Sequence, residues 1–203
     1  MNITNRTPPT REIEIELLAL DLDTCTRCVG TLTNIEKAIG VAEQVLHATH
    51  SHVRVQKILI ESEEQALNHK FVTSPTVRIS GRDMAFETLE SRCDDCTDLC
   101  GCDEGTKCRV WRYQGQEHNE APVGLVLESI LREVCGDANG PVSDVAAYTG
   151  APENLKRFFA AKSAKHIMAT SSCCSSAEQE LCCEPSAKAA CCENHEAGSC
   201  GCR

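Results

Sequence analysis

Cysteine supplies sixteen of the 203 residues, and they fall in groups. Cys25 and Cys28 form a C-x-x-C pair, and Cys93, Cys96, Cys100, Cys102 and Cys108 lie within sixteen residues. Cys135 stands alone, and eight more crowd the C-terminus. A chain so rich in sulfur is confined to three uses of it: a secreted disulfide scaffold, metal ligation, or redox chemistry. The opening residues MNITNRTPPT contain no apolar signal core, and no run approaches the roughly 18 apolar residues of a membrane span. The expectation is a cytoplasmic protein without membrane insertion, whose thiols serve metal binding or reversible thiol chemistry.

Charge narrows the partners. The formal net charge is −10, and phosphate binding needs clustered Lys and Arg, so nucleic acid is not an expected partner. Between Asp83 and Glu104 eight acidic residues face one basic residue, Arg92. That stretch is either a solvated face or a field that attracts cations.

The chain reads as alternating strands and helices. Ile13 to Leu20 begins with apolar residues at every second position and then becomes continuous, as in a strand that grows more buried along its length. From Cys28 the residues Leu32, Ile35, Ile39, Ala42 and Leu46 recur at helical spacing, so Cys25 opens a helix. Val53 to Ile60 predicts a second strand, and Ser62 with Gln65 makes a capping box for a short helix to about Lys70. Val77 to Ile79 and Met84 to Leu89 are further strand candidates around Gly81, and Trp111 to Tyr113 is strand-like. After Pro122 comes a stripe of Val123, Val126, Leu127, Ile130, Leu131 and Val134, with Cys135 read as core packing. Pro152 starts a helix whose Leu155, Phe158 and Phe159 dock back on the domain as a strap. This order predicts an α/β layer with helices against a small mixed sheet. The expected organisation is a domain over 11–135 with a Cys-rich insertion at 93–108, a helical extension over 136–168, and a disordered tail over 169–203. With 41% hydrophobic and 3% aromatic residues the core is modest, and the tail holds a single Leu, so it cannot order itself by burial.

Three places could carry chemistry. At Cys25 and Cys28 the helix N-terminus and the adjacent Arg27 favour a thiolate, the attacking species in disulfide exchange and the ligating species for soft metals. Cys25, nearer the helix end, is expected to be the more exposed attacker, with Cys28 as the resolving thiol. Asp21 and Asp23 either end the strand or accept a proton. At Cys93, Cys96, Cys100, Cys102 and Cys108 the spacings are chelating, and three readings stay open: a structural zinc loop using four of the five, disulfides relaying electrons from the C-x-x-C, or a functional soft-metal site. In the tail the pairs Cys173-Cys174, Cys182-Cys183 and Cys191-Cys192 fall nine residues apart, with Cys200 nine after Cys191 and Cys202 completing a C-x-C. Such pairs can jointly hold arsenite, mercury or copper(I). His195 adds a borderline ligand or is simply solvated, and His47, His50 and His52 are read as surface residues at a helix end.

A strand, a C-x-x-C on the following helix and Ser74-Pro75-Thr76 before a later strand resemble the thioredoxin superfamily. The resemblance implies a thioredoxin-like fold with Pro75 as a cis-proline facing the cysteines, and with Ser74 and Thr76 beside Cys25. More narrowly, TCTRC at 24–28, SPTVRISGRD at 74–83 and the CDDCTDLCGC run ending in CRVWRY resemble an uncharacterised bacterial thioredoxin-like family, over about 11–135. The aromatic-Cys-Gly-Pro-Cys site of general thioredoxins is absent, so their substrate range is not implied.

Taken together, these readings predict a thiol protein that handles thiophilic metal or metalloid ions. As an enzyme, Cys25 would attack, Cys28 would resolve, and a thiol-reducing system would regenerate the pair. As a carrier, the same cysteines would pass an ion to an efflux or regulatory protein without turnover. A general protein-disulfide reductase is the third reading.

Overall fold

The structure, a computed structural model, describes residues 10–85, 87–102, 104–136, 148 and 150–170, with the side chains of 168–170 excepted. The tail cysteines Cys173 to Cys202 and His195 lie outside the described residues. Among the described residues no helix is long and apolar enough to cross a membrane.

The fold is mixed α/β. Strand β1 (Arg11–Ala19) is the spine, because it pairs in parallel with β2 (Ser51–Leu59) and antiparallel with β3 (Thr76–Ile79). The two-residue β4 (Arg82–Asp83) completes the order β2-β1-β3-β4. The alternation in β1 has its expected consequence: Ile13, Ile15 and Leu17 pack with Ile35, Ala38, Ala42 and Leu46 of α1 (Thr26–Ala48). They also meet Leu125, Val126 and Ile130 of a later helix, α4 (Val123–Cys135). The continuous end of β1, from Leu18 to Leu20, enters a second cluster with Ile60, Phe71 and the cysteines. Between β2 and β3, α2 (Glu63–Asn68) starts at Ser62, whose Oγ accepts from Gln65 N at 3.2 Å. The Gln65 side chain reciprocates one residue earlier than in the usual box, accepting from Glu61 N at 2.8 Å.

A second sheet, β5-β6-β7, is antiparallel: β5 (Leu89–Cys93), β6 (Thr106–Tyr113) and β7 (Gln116–His118). Between β5 and β6 lies α3 (Asp94–Cys100), so the expected irregular insertion is a hairpin with a helix at its tip. Gly101 ends α3 at φ 67°, in the left-handed region that favours glycine. The last helix, α5 (Glu153–Thr170), buries Leu155, Phe158 and Phe159. Asn154 pins it to β6 by accepting from Lys107 N and donating to Lys107 O, at 3.0 and 2.8 Å.

Two sequence expectations are corrected here. Met84 to Leu89 is not one strand: β4 stops at Asp83, whose Oδ1 accepts from Ala85 N and turns the chain, while Met84 enters the core. Cys135 is exposed and does not pack in the core, because the apolar stripe of α4 ends at Val134 and Cys135 falls off that face. His47, His50 and His52 are exposed, and His52 pairs with Glu12 at 2.9 Å.

The two sheets are locked by Arg109 on β6, which is 1% exposed. Its guanidinium donates to both Asp83 carboxylate oxygens at 3.2 and 2.7 Å and to Thr76 Oγ1 at 3.3 Å, and lies 5.0 Å from the Trp111 ring centroid. Its backbone N–H donates to Ser74 O at 2.6 Å. Removing the carboxylate would strand a buried cation, so Asp83→Ala is expected to lower the unfolding free energy by about 3 kcal/mol in urea titrations. Arg112→Ala, which removes only exposed ion pairs to Glu87 and Glu117, should stay within about 0.5 kcal/mol.

Candidate metal centre

Two C-x-x-C motifs are built alike. Cys25 is the N-cap of α1 and Cys28 sits three residues in; Cys93 is the N-cap of α3 and Cys96 sits three residues in. Both caps are extended backbone, and neither sulfur makes a capping hydrogen bond to its own helix. The fold sets these two helix starts against each other. Cys96 Sγ lies 3.6 Å from Cys25 Sγ, and Cys93 Sγ lies 3.9 Å from Cys25 Sγ. The three sulfurs are all within 4.8 Å of one another. Cys108 joins from β6, where its partner Ser91 in β5 is two residues before Cys93, so both cysteines lie on the same face of the hairpin. Its Sγ is 3.4 Å from Cys96 Sγ.

All five thiols are buried, Cys25 included at 1% exposure. The expectation of an exposed Cys25 is therefore corrected: α3 covers the start of α1. Leu20, Phe71, Leu155, Phe158 and Phe159 complete an apolar lining. The expected neighbour of Ser74 also changes. The Ser74-Pro75 bond is cis, and Ser74 Oγ meets Cys28 Sγ at 3.4 Å while accepting from Leu20 N at 3.1 Å. Thr76 Oγ1 donates to Thr73 O.

The polar groups around the cluster are already engaged. Asp21 Oδ1 accepts from the backbone of Asp23, Thr24 and Cys25 and from the Thr24 hydroxyl, so it organises the turn that ends β1. Burial raises its carboxyl, but the Cys25 and Thr24 amides outweigh that and hold it below the ordinary aspartate value. Asp95 Oδ2, from α3, accepts from Thr26 N and Thr26 Oγ1, both at 2.7 Å, and so caps α1 from another element. Arg27 does not point at sulfur: it donates to Ser91 Oγ at 3.0 Å and to the Arg92 carbonyl at 2.6 Å, fastening β5 to α1.

Charge is divided unequally over the thiols. The hydrogen bond with Cys28 lowers Cys25, and bonds with Cys108, Cys25 and Cys96 lower Cys93. Cys28 is pushed up by its bond with Cys25 and by burial, Cys96 by its bonds with Cys108, Cys25 and Cys93, and Cys108 chiefly by its bond with Cys93. The two capping thiols are thus the ones whose deprotonation is favoured, with their neighbours as the S–H donors.

Cys100 and Cys102 are joined by a disulfide across Gly101. This corrects the expected set of four ligands drawn from the 93–108 segment alone. The structure instead brings Cys93 and Cys96 to Cys25, and leaves Cys100 and Cys102 paired with each other. Sequence reasoning named every one of these cysteines but treated the two C-x-x-C motifs as separate sites, and it missed Asp95 and Thr26. The available signal was their shared position at a strand-to-helix junction.

No curated protein and no solved structure matches the chain. A family match covers residues 12–130, from β1 into α4, and takes in all five converging cysteines. The chain belongs to the family described as a domain of unknown function (DUF2703).

Proposed function

We propose that this protein binds a thiophilic metal or metalloid ion through Cys25, Cys93 and Cys96 and passes it on by exchange of thiol ligands. The observation that carries this reading is the mutual approach of three buried sulfurs to within 4.8 Å, with separations of 3.6 and 3.9 Å to Cys25. A tetrahedral ion with metal–sulfur bonds of 2.3 Å spaces its sulfurs by about 3.8 Å, so such an ion fits without rearranging the helices. Unligated thiols gain little from gathering in an apolar interior, whereas an ion would bond to all three. In this reading a thioredoxin-like scaffold, with a C-x-x-C opening the first helix and Pro75 nearby, has been adapted to ion binding. The cysteine pairs from Cys173 to Cys202 collect arsenite, mercury or copper(I), and a thiol-reducing system or an efflux or regulatory protein receives the ion. A reducing cytoplasm is the compartment in which such thiols persist.

Replacing the eight tail cysteines with serine isolates the interior site. That chain is expected to retain one cadmium or arsenite per molecule by native mass spectrometry. Cys25→Ser or Cys96→Ser should weaken binding by about 100-fold or more, since even outer partners of ligands are worth 10- to 100-fold. Cys135→Ser should leave binding unchanged. Failure to retain any thiophilic ion would remove the proposal.

A second reading, thiol–disulfide exchange, is favoured by the pairing of Cys25 with Cys28 beside the Ser74 hydroxyl. Cys25 would attack and Cys28 resolve. The distinguishing measurement is the Cys25/Cys28 couple in graded thiol buffers. The ion-binding reading expects it to be blocked once ion is bound. A couple between roughly −180 and −300 mV that cycles equally well in the ion-loaded chain would favour the oxidoreductase.

A further inference from the structure

The ion-binding reading leaves open which ions the interior prefers, and the site's coordination and charge bear on that choice. Cys25, Cys93 and Cys96 lie mutually within 4.8 Å; Cys108 is hydrogen-bonded to Cys96 at 3.4 Å and to Cys93, but does not lie within that distance of all three. The surroundings are poorly suited to a net negative complex. The lining is apolar, with Phe71, Phe158 and Leu155 fully buried beside the sulfurs. The first amide of α1 is given to the Asp95 carboxylate and that of Cys25 to Asp21, so two carboxylates stand at the helix start. The nearby guanidiniums serve other partners: Arg27 holds backbone carbonyls and Ser91, and Arg109 holds Asp83.

Three thiolates around a divalent ion carry a net charge of −1, and a fourth thiolate makes it −2. A trivalent centre with three thiolates is neutral. Burying an uncompensated charge costs several kcal/mol, so this pocket discriminates by total charge as well as by softness. We infer that the interior site of this protein is selective for a trivalent, three-coordinate metalloid of the arsenite class over divalent metals. The inference rests on the ion-binding reading and deepens it.

The exchange balances without redox chemistry. Arsenic trihydroxide meets three thiols; three As–O and three S–H bonds break, three As–S bonds form, and each released hydroxide takes a thiol proton to leave as water. Arsenic stays trivalent throughout. Cys28 and Cys108 remain thiols at the edge of the complex.

The test uses the full chain with the eight tail cysteines replaced by serine, titrated with arsenite, zinc and cadmium singly and in competition. Native mass spectrometry counts bound ions, and X-ray absorption at arsenic counts sulfur neighbours. The expected result is one arsenic per chain with three sulfur neighbours, retained against an equal concentration of zinc. Cys93→Ser should weaken arsenite binding by about 100-fold or more, and Cys108→Ser by less than about threefold. If zinc or cadmium displaces arsenite and its affinity collapses in Cys108→Ser, the site is a four-thiolate divalent site; the selectivity inference is then wrong and the ion-binding reading stands. If neither arsenite nor a divalent metal binds, both fail. Should a variant not fold by circular dichroism, the wild-type competition and the coordination number decide alone.

Discussion

The site depends on Arg109. A guanidinium buried between two sheets is tolerable only when its charge is answered, and Asp83 answers it from β4 while Thr76 contributes from β3. Its backbone amide also holds Ser74 O. These contacts fix β6 beside the segment that precedes β3, and β6 carries Cys108 and, through the hairpin, Cys93 and Cys96. The cysteine cluster is thus assembled by a polar lock on the residue next to Cys108, whose amide also holds the serine that meets Cys28. Arg27 fastens the same hairpin to α1 through the Arg92 carbonyl, so the second sheet is anchored on both sides of the thiols.

Much of the fold was legible in the sequence because it follows from periodicity. The alternation of Ile13, Ile15 and Leu17 and the helical stripe of Ile35, Ala42 and Leu46 correspond to faces that pack together. The misreadings have local causes. Met84 is apolar and lies next to a strand, yet the Asp83 carboxylate turns the chain there. Cys135 looked like core because cysteine usually is, but its position on α4 points away from the stripe. Periodicity describes which face of an element is buried; it is silent on which two elements meet.

That limit explains the site. Cys25 and Cys93 are 68 residues apart, and nothing within either motif identifies the other. An N-cap residue is usually near solvent, so an exposed Cys25 was a reasonable expectation until α3 closed over it. The acidic stretch offered a weak hint. Most of its members are solvated, yet Asp83 is the partner of Arg109 and Asp95 caps α1. Both roles depend on tertiary contacts that composition cannot assign.

Burial imposes a kinetic condition on any use of the cluster. Whether the incoming group is an ion, a disulfide or a thiol, it must reach buried sulfurs, and α3 is one of the elements that cover them. The polar contacts that hold α3 are mostly at the surface: Asp95 to Thr26, Asp94 to Arg92, and Lys165 to the Asp98 carbonyl at 2.7 Å. The one ion pair among them, Asp94 with Arg92, is exposed and worth only about 0–1 kcal/mol. The stronger restraint is the apolar contact of Cys96 and Cys100 with Phe158 and its neighbours, together with the thiol contacts themselves. An ion bonded to Cys25 on α1 and to Cys93 and Cys96 at the start of α3 would join the two helices directly. Binding would then tie the two helices together, and release would require a competing thiol to take over one sulfur's place. Under the proposed ion binding, a donor or acceptor rich in cysteine is chemically suited to that role, and the cysteine pairs from Cys173 to Cys202 are such a group within the same chain.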